Sequence, residues 1–207
     1  MNLAIADLGL NNMSSIKRAI SRCTENAIQL DLYEVGESRD IDLVILPGVG
    51  HFGAASRALE ERNLRKLILN LHDRSVPILG ICLGLHLLFT TSEESPQAKG
   101  LGIVAGEVKK LIPKRGAPVP NVGWCETWFN HINNVSEVQG DYYFTHSYYP
   151  VPDDSGCVFS TSLHGDERFT SGVIFDGIIG LQFHPEKSGE VGHKLLSFLV
   201  SYLTDSR

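Results

Sequence analysis

The rhythm of apolar and polar positions divides the chain into two parts. Leu3-Ala4-Ile5-Ala6 is a short apolar run ending at Asp7-Leu8-Gly9, which predicts a strand and then a turn. Over 14–23, Ile16, Ala19, Ile20 and Cys23 recur at helical spacing. A second strand suits 27–32. A third suits Asp42-Leu43-Val44-Ile45-Leu46, stopped by Pro47-Gly48-Val49-Gly50. Leu64, Leu67, Ile68 and Leu71 make the stripe of another helix, and 76–81 predicts a fourth strand leading into an apolar helix over 83–89. Strands apolar on both faces that alternate with helices imply a parallel sheet covered on both sides.

From about Gly102 to Phe183 the runs shorten. They are rich in β-branched and aromatic residues and are divided by Gly, Pro and Asn. Segments 102–108, 141–149, 157–162 and 172–175 predict antiparallel strands attached to the parallel core. Val191, Leu195, Leu196, Leu199 and Val200 predict a closing helix over 189–203. No repeat, low-complexity tract or linker interrupts the pattern, so the expectation is an α/β fold forming one domain over 1–207.

Composition narrows the function. A chain of 207 residues, 43% of them hydrophobic, can bury a full core. Its net charge of −6, with no basic stripe, argues against nucleic acid and anionic membrane as partners. No apolar run approaches the roughly 18 residues of a membrane span. The N-terminus lacks a basic region and a cleavage site, so it is expected to be a first strand and not a signal. Cys23, Cys82, Cys125 and Cys157 lie far apart without a CxxC pair. That spacing argues against a zinc site or disulfide framework and for a reducing, cytoplasmic setting. Each cysteine alone reads as a small buried hydrophobe; its neighbours must promote it to anything more.

The neighbours of Cys82 do so. Gly80-Ile81-Cys82-Leu83-Gly84 matches the nucleophile-elbow pattern, set between a predicted strand and a predicted helix. Flanking glycines let a strand turn sharply into a helix, leaving the apex side chain above the carboxyl edge of the sheet, where such folds bind ligands. A cysteine at a helix N-terminus is favoured as thiolate. A turn packed for shape alone is the bland alternative. Further on, His184 and Glu186 in Gln182-Phe183-His184-Pro185-Glu186-Lys187 are two apart, and in an extended segment they would share a face. An imidazole beside a carboxylate is the base and orienter that a cysteine nucleophile requires, although such a pair in a loop is often only solvated.

These two motifs together resemble the class I (triad) glutamine amidotransferases. Finer blocks are similar to the glutaminase subunits of imidazole glycerol phosphate synthases. They include 7–12, Pro47-Gly48-Val49-Gly50-His51-Phe52-Gly53, Ser92-Glu93-Glu94, Gly123-Trp124, Tyr143-Phe144-Thr145-His146-Ser147-Tyr148 and 182–188. The resemblance runs nearly end to end. It implies a flavodoxin-like three-layer sandwich, with a mostly parallel central sheet and an antiparallel extension. It also implies a catalytic triad of Cys82, His184 and Glu186, with oxyanion donors at the amides of Val49 and Leu83. Substrate contacts would come from Gly48, Gly50, His86, Glu94, His146, Ser147 and Tyr148.

The implied substrate is glutamine. The implied partner is a (β/α)8-barrel cyclase, met at Asn12, Trp124 and Lys187. No metal or organic cofactor is required, because a thiolate and an oxyanion hole suffice for amide cleavage. Two departures stand out: His86 replaces a usual Gln, and the stretch opening Cys125-Glu126-Thr127-Trp128 is short and unusual. They leave open a paralogous glutaminase that feeds amidation of a bacterial surface sugar. From other classes, a thiol hydrolase and a non-catalytic flavodoxin-like binding module also stay open. His86, four residues after Cys82, falls on the same helix face and within reach of the substrate carboxamide; packing under the next segment is its alternative.

Overall fold

The structure, a computed structural model, describes residues 1–10, 13–24, 27–35, 40–113, 116–130 and 138–205. Its spine is one nine-stranded sheet, ordered β2-β1-β3-β4-β12-β11-β10-β7-β8. The first five members are β2 (Ile28–Asp31), β1 (Asn2–Ile5), β3 (Leu43–Gly48), β4 (Ile78–Cys82) and β12 (Ile178–Leu181), and they run parallel. The other four are β11 (Glu167–Phe175), β10 (Val158–His164), β7 (Asn121–Phe129) and β8 (Gly140–His146), each antiparallel to its neighbour. Two residues, Thr91–Ser92, form β5, which joins β6 (Gly106–Lys110) and β9 (Tyr148–Pro152) in a small second sheet.

Alternation along the parallel strands sends side chains into two separate cores. Ala4, Val44, Leu46 and Ile78 pack beneath α3 (Phe52–Glu61), α4 (Leu64–Asp73) and α5 (Leu83–Leu88). Leu3, Ile5, Leu43, Ile45, Leu79 and Ile81 pack against α1 (Met13–Cys23) and α6 (Gly189–Asp205) on the opposite face. The result is the three-layer α/β sandwich of flavodoxin-like order. Each fully buried Leu or Ile in these layers is worth about 1.5–3 kcal/mol of transfer free energy, which is why periodicity foretold most of the parallel half.

Several elements differ from expectation. The third strand runs on through Pro47 and Gly48, which pair with Ile81 and Cys82 of β4. A short helix, α2 (Leu32–Val35), follows β2. α3 was not foreseen. The run 141–149 is two strands, because the chain leaves the large sheet at His146 and enters the small one at Tyr148. β7 was not singled out, and β12 is parallel to β4, although it lies in the stretch expected to be antiparallel. No described helix is long and apolar enough to cross a membrane.

Candidate active site

The first site residue stands where β4 gives way to α5. Cys82 adopts φ 54° and ψ −108°, a region that L residues rarely occupy, and its side chain is buried. Close approach of α5 to the sheet makes the turn this sharp. A Cβ on Gly84 would lie 1.7 Å from the carbonyl oxygen of Leu46 in β3, so only glycine fits. A Cβ on Gly180 of β12 would lie 2.3 Å from Leu85 Cδ1 of α5. The helix therefore rests directly on three strands, with Cys82 at its N-terminus above their carboxyl ends.

β12 lies beside β4, with Gly180 opposite Gly80, and delivers His184 to the same edge. The His184 backbone is fixed by its amide donating to Tyr143 O (2.9 Å) and by Ser188 Oγ donating to His184 O (2.6 Å). Its Nδ1 lies 2.8 Å from Glu186 Oε1, both side chains being at least nine-tenths buried. The two do not share a face of an extended segment. A 3-10 turn over Pro185–Lys187 curls Glu186 back beneath the ring. Burial alone would pull the His184 pKa down, but the adjacent Cys82 sulfur and Glu186 carboxylate outweigh it and push it up to about 10. Glu186 Oε2 is buried without a hydrogen-bond partner, and the buried His184 Nε2 is the ring nitrogen left over from Glu186, with the Cys82 sulfur beside the ring.

Two cavities open at this edge. One, of about 130 Å³, is lined by Cys82, Leu83, Val49 and Gly50 from the strand ends, and by His86 and Glu94. Thr145, His146, Ser147 and Tyr148 close it from the β8–β9 crossing. A smaller one of about 80 Å³ is lined by Gly48, Val49, His184, Glu186 and Lys187, with Ser15 and Ile16 of α1. Val49 borders both. Nearly every site residue foreseen in the sequence thus lies at one of two adjoining hollows. Glu94 is anchored by the amide of Phe52, which donates to its Oε2 at 2.7 Å.

The two histidines of the larger cavity are already engaged. His146 donates from Nδ1 to Tyr148 O (2.9 Å), and its Nε2 accepts from Asn121 Nδ2 (3.1 Å), so it clamps the strand crossing. Burial pushes it down to about 3, against the opposing pull of the Tyr148 carbonyl. His86 Nε2 lies 2.8 Å from Gln182 Oε1; burial pushes it down to about 4, and hydrogen bonding to Gln182 and to the Tyr148 backbone offsets this only in part. Gln182 carried no role in the sequence reading, since nothing local marks a glutamine on β12's flank as a neighbour of Cys82. Of the foreseen interface residues, Trp124 is exposed and meets Tyr143 edge to face at 6.0 Å. Lys187 Nζ lies 5.8 Å from the centre of that Tyr143 ring. Asn12 lies outside the described residues. Among the described residues, no cluster of three or more His, Cys, Asp or Glu could hold a metal.

Cys82 at the elbow and the His184–Glu186 pair thus stand at two cavities that share Val49. The chain belongs to the class-I glutamine amidotransferase family, whose model matches residues 5–200, and it is a glutamine amidotransferase. At the level of particular proteins, it is similar to the imidazole glycerol phosphate synthase subunit HisH of Methanopyrus kandleri. The two are 42% identical over 204 residues, covering 97% of this chain and 98% of that one. The subunit of the same name from Aquifex aeolicus is 39% identical over 201 residues, covering 95% and 94%. Among solved structures, a glutamine amidotransferase from Thermotoga maritima superposes with a TM-score of 0.70 at 16% identity, over 99% of this chain and 98% of that one, a likeness of fold.

Proposed function

We propose that this chain is the glutaminase subunit of an imidazole glycerol phosphate synthase. It hydrolyses glutamine to glutamate and ammonia and delivers the ammonia to a (β/α)8-barrel cyclase. The observation that carries the mechanism is the meeting of Cys82 with the His184–Glu186 pair at the ends of adjoining strands. The full-length similarity to HisH subunits supports the pathway.

Cys82 attacks the γ-carboxamide carbon of glutamine as a thiolate. The oxyanion that forms is held by the amides of Val49 and Leu83. His184 gives its proton to the departing nitrogen; the carbon–nitrogen bond breaks and ammonia leaves, with a glutamyl thioester remaining on Cys82. The now neutral imidazole takes a proton from water, whose oxygen attacks the thioester and releases glutamate and the thiolate. Glu186 holds the ring in orientation throughout. Glu94 takes the α-ammonium of the substrate, while the 145–148 segment receives its backbone end. The cyclase docks on the face carrying Lys187 and Trp124, and the pair works in the cytoplasm.

The test is Cys82→Ala in the reconstituted complex. Glutamine-dependent synthesis should vanish, while synthesis from free ammonium at high pH continues, because the triad serves only the ammonia-generating half. Loss of both activities in a folded complex would overturn this division of labour.

A further inference from the structure

Gln182 is fully buried at the end of β12, between His86 of α5 and Cys82 at the elbow. Its Oε1 lies 2.8 Å from His86 Nε2, and its Nε2 points at Cys82 Sγ across 4.0 Å. A carboxamide oxygen can only accept, so His86 Nε2 carries a hydrogen and donates it. That bond decides which end of the amide faces the sulfur. Were the amide reversed, His86 would meet an N–H and Cys82 would meet a carbonyl oxygen.

We propose that Gln182 is a further residue acting on the nucleophile, its side-chain N–H directed at the Cys82 sulfur, and that His86 is the positioning residue holding the amide in that sense. An N–H aimed at the sulfur favours the charged nucleophile and holds it beneath the substrate carboxamide. His86 then serves the reaction through Gln182 and not by direct contact with glutamine. The inference rests on Cys82 being the nucleophile, as proposed above. It is tested on the sulfur itself, which can be read without glutamine.

The experiment follows alkylation of Cys82 by iodoacetamide at neutral pH, by mass spectrometry of the peptide that contains it, in the full-length chain. Gln182→Met keeps length and volume and removes the donor; it should slow alkylation about 2- to 12-fold, the worth of one hydrogen bond. His86→Leu should slow it by a similar factor, and His86→Gln, which restores an N–H toward Gln182 Oε1, should recover the rate. In the Gln182→Met background, His86→Leu should add nothing further, because its partner is already gone. Gln182→Glu, which keeps an acceptor for His86 but faces the sulfur with charge, should be slower still; it serves as the readout if the Met variant does not fold. Unchanged alkylation in folded Gln182 variants, or additive losses in the double variant, would overturn the proposal. If the reconstituted, ligand-bound complex failed to hydrolyse glutamine while these alkylation effects held in the chain, the proposed function would fall and the Gln182 assignment would stand.

Discussion

Cys82 occupies backbone space that a side chain resists, and the resistance is measurable. Replacing it with Ala retains a Cβ at φ 54°, whereas Gly removes one. Ala to Gly normally destabilises a protein by lost chain entropy. Here the strain, of order 1–3 kcal/mol, should reverse the sign and make Cys82→Gly more stable than Cys82→Ala by about 1 kcal/mol in urea unfolding. The opposite order would mean that the elbow is unstrained. Glu186→Gln should cut kcat of glutamine hydrolysis about 10²- to 10⁴-fold with KM little changed, since it removes the group that orients and charges His184.

The buried histidines set opposite limits on pH. His86 and His146, held down at about 4 and about 3, leave the unfolded chain binding more protons below its ordinary value of 6.5. Stability should therefore fall as pH drops from 6.5 toward 4, by roughly 3 kcal/mol for each. His184, raised to about 10, contributes stability that is complete below 6.5 and is lost as pH rises through 10. Urea midpoints across that range check both limbs, and His86→Gln should flatten the acid one. Cys82, His184 and Glu186 stood out in the sequence because the chemistry proposed for them demands particular types beside particular neighbours. The engagement of His86 was not, because its partner lies 96 positions away on another strand.

At the scale of elements, what could be read depended on what each buries. β3 and β4 are apolar on both faces and announced themselves. α3 did not, for its inner face mixes Phe52 and Leu59 with Gly53, Ala55, Ser56 and Ala58, which blur a hydrophobic stripe. β7 alternates buried and open positions, with Val122 and Trp124 facing outward, so its apolar residues do not fall on one side. The split between β8 and β9 is set by a change of sheet at Ser147, which leaves no local mark. α5 is where element packing reaches the chemistry. Gly84→Ala would drive a methyl into the Leu46 carbonyl, which backbone cannot yield, so we expect at least about 3 kcal/mol of destabilisation and loss of glutaminase activity together. A stable, active Gly84→Ala chain would show that α5 can lift from the sheet without disturbing Cys82.

For the molecule as a whole, the two cavities place the border residue Val49 beside the face that carries Lys187. Gly50 follows, exposed and at φ 110°. A partner docked there, and ligand bound to that partner, can shift the backbone between alternatives it stabilises unequally. The isolated chain should accordingly hydrolyse glutamine far more slowly than the ligand-bound complex. Equal turnover in the purified chain and in the complex would exclude this coupling.

The juxtaposition of β4 and β12 has a kinetic side. Gln182 and Cys82 are a hundred residues apart, yet they sit together because one strand pairs with the other. Everything between them is a closed loop, and each doubling of such a loop adds about 0.6 kcal/mol to the entropy of joining its ends. Local helices such as α4 can form early in refolding, whereas the β4–β12 seam must wait for the long excursion to return. Cys82 and His184 consequently come together only when β4 and β12 pair. The site is therefore completed with that pairing and not by degrees.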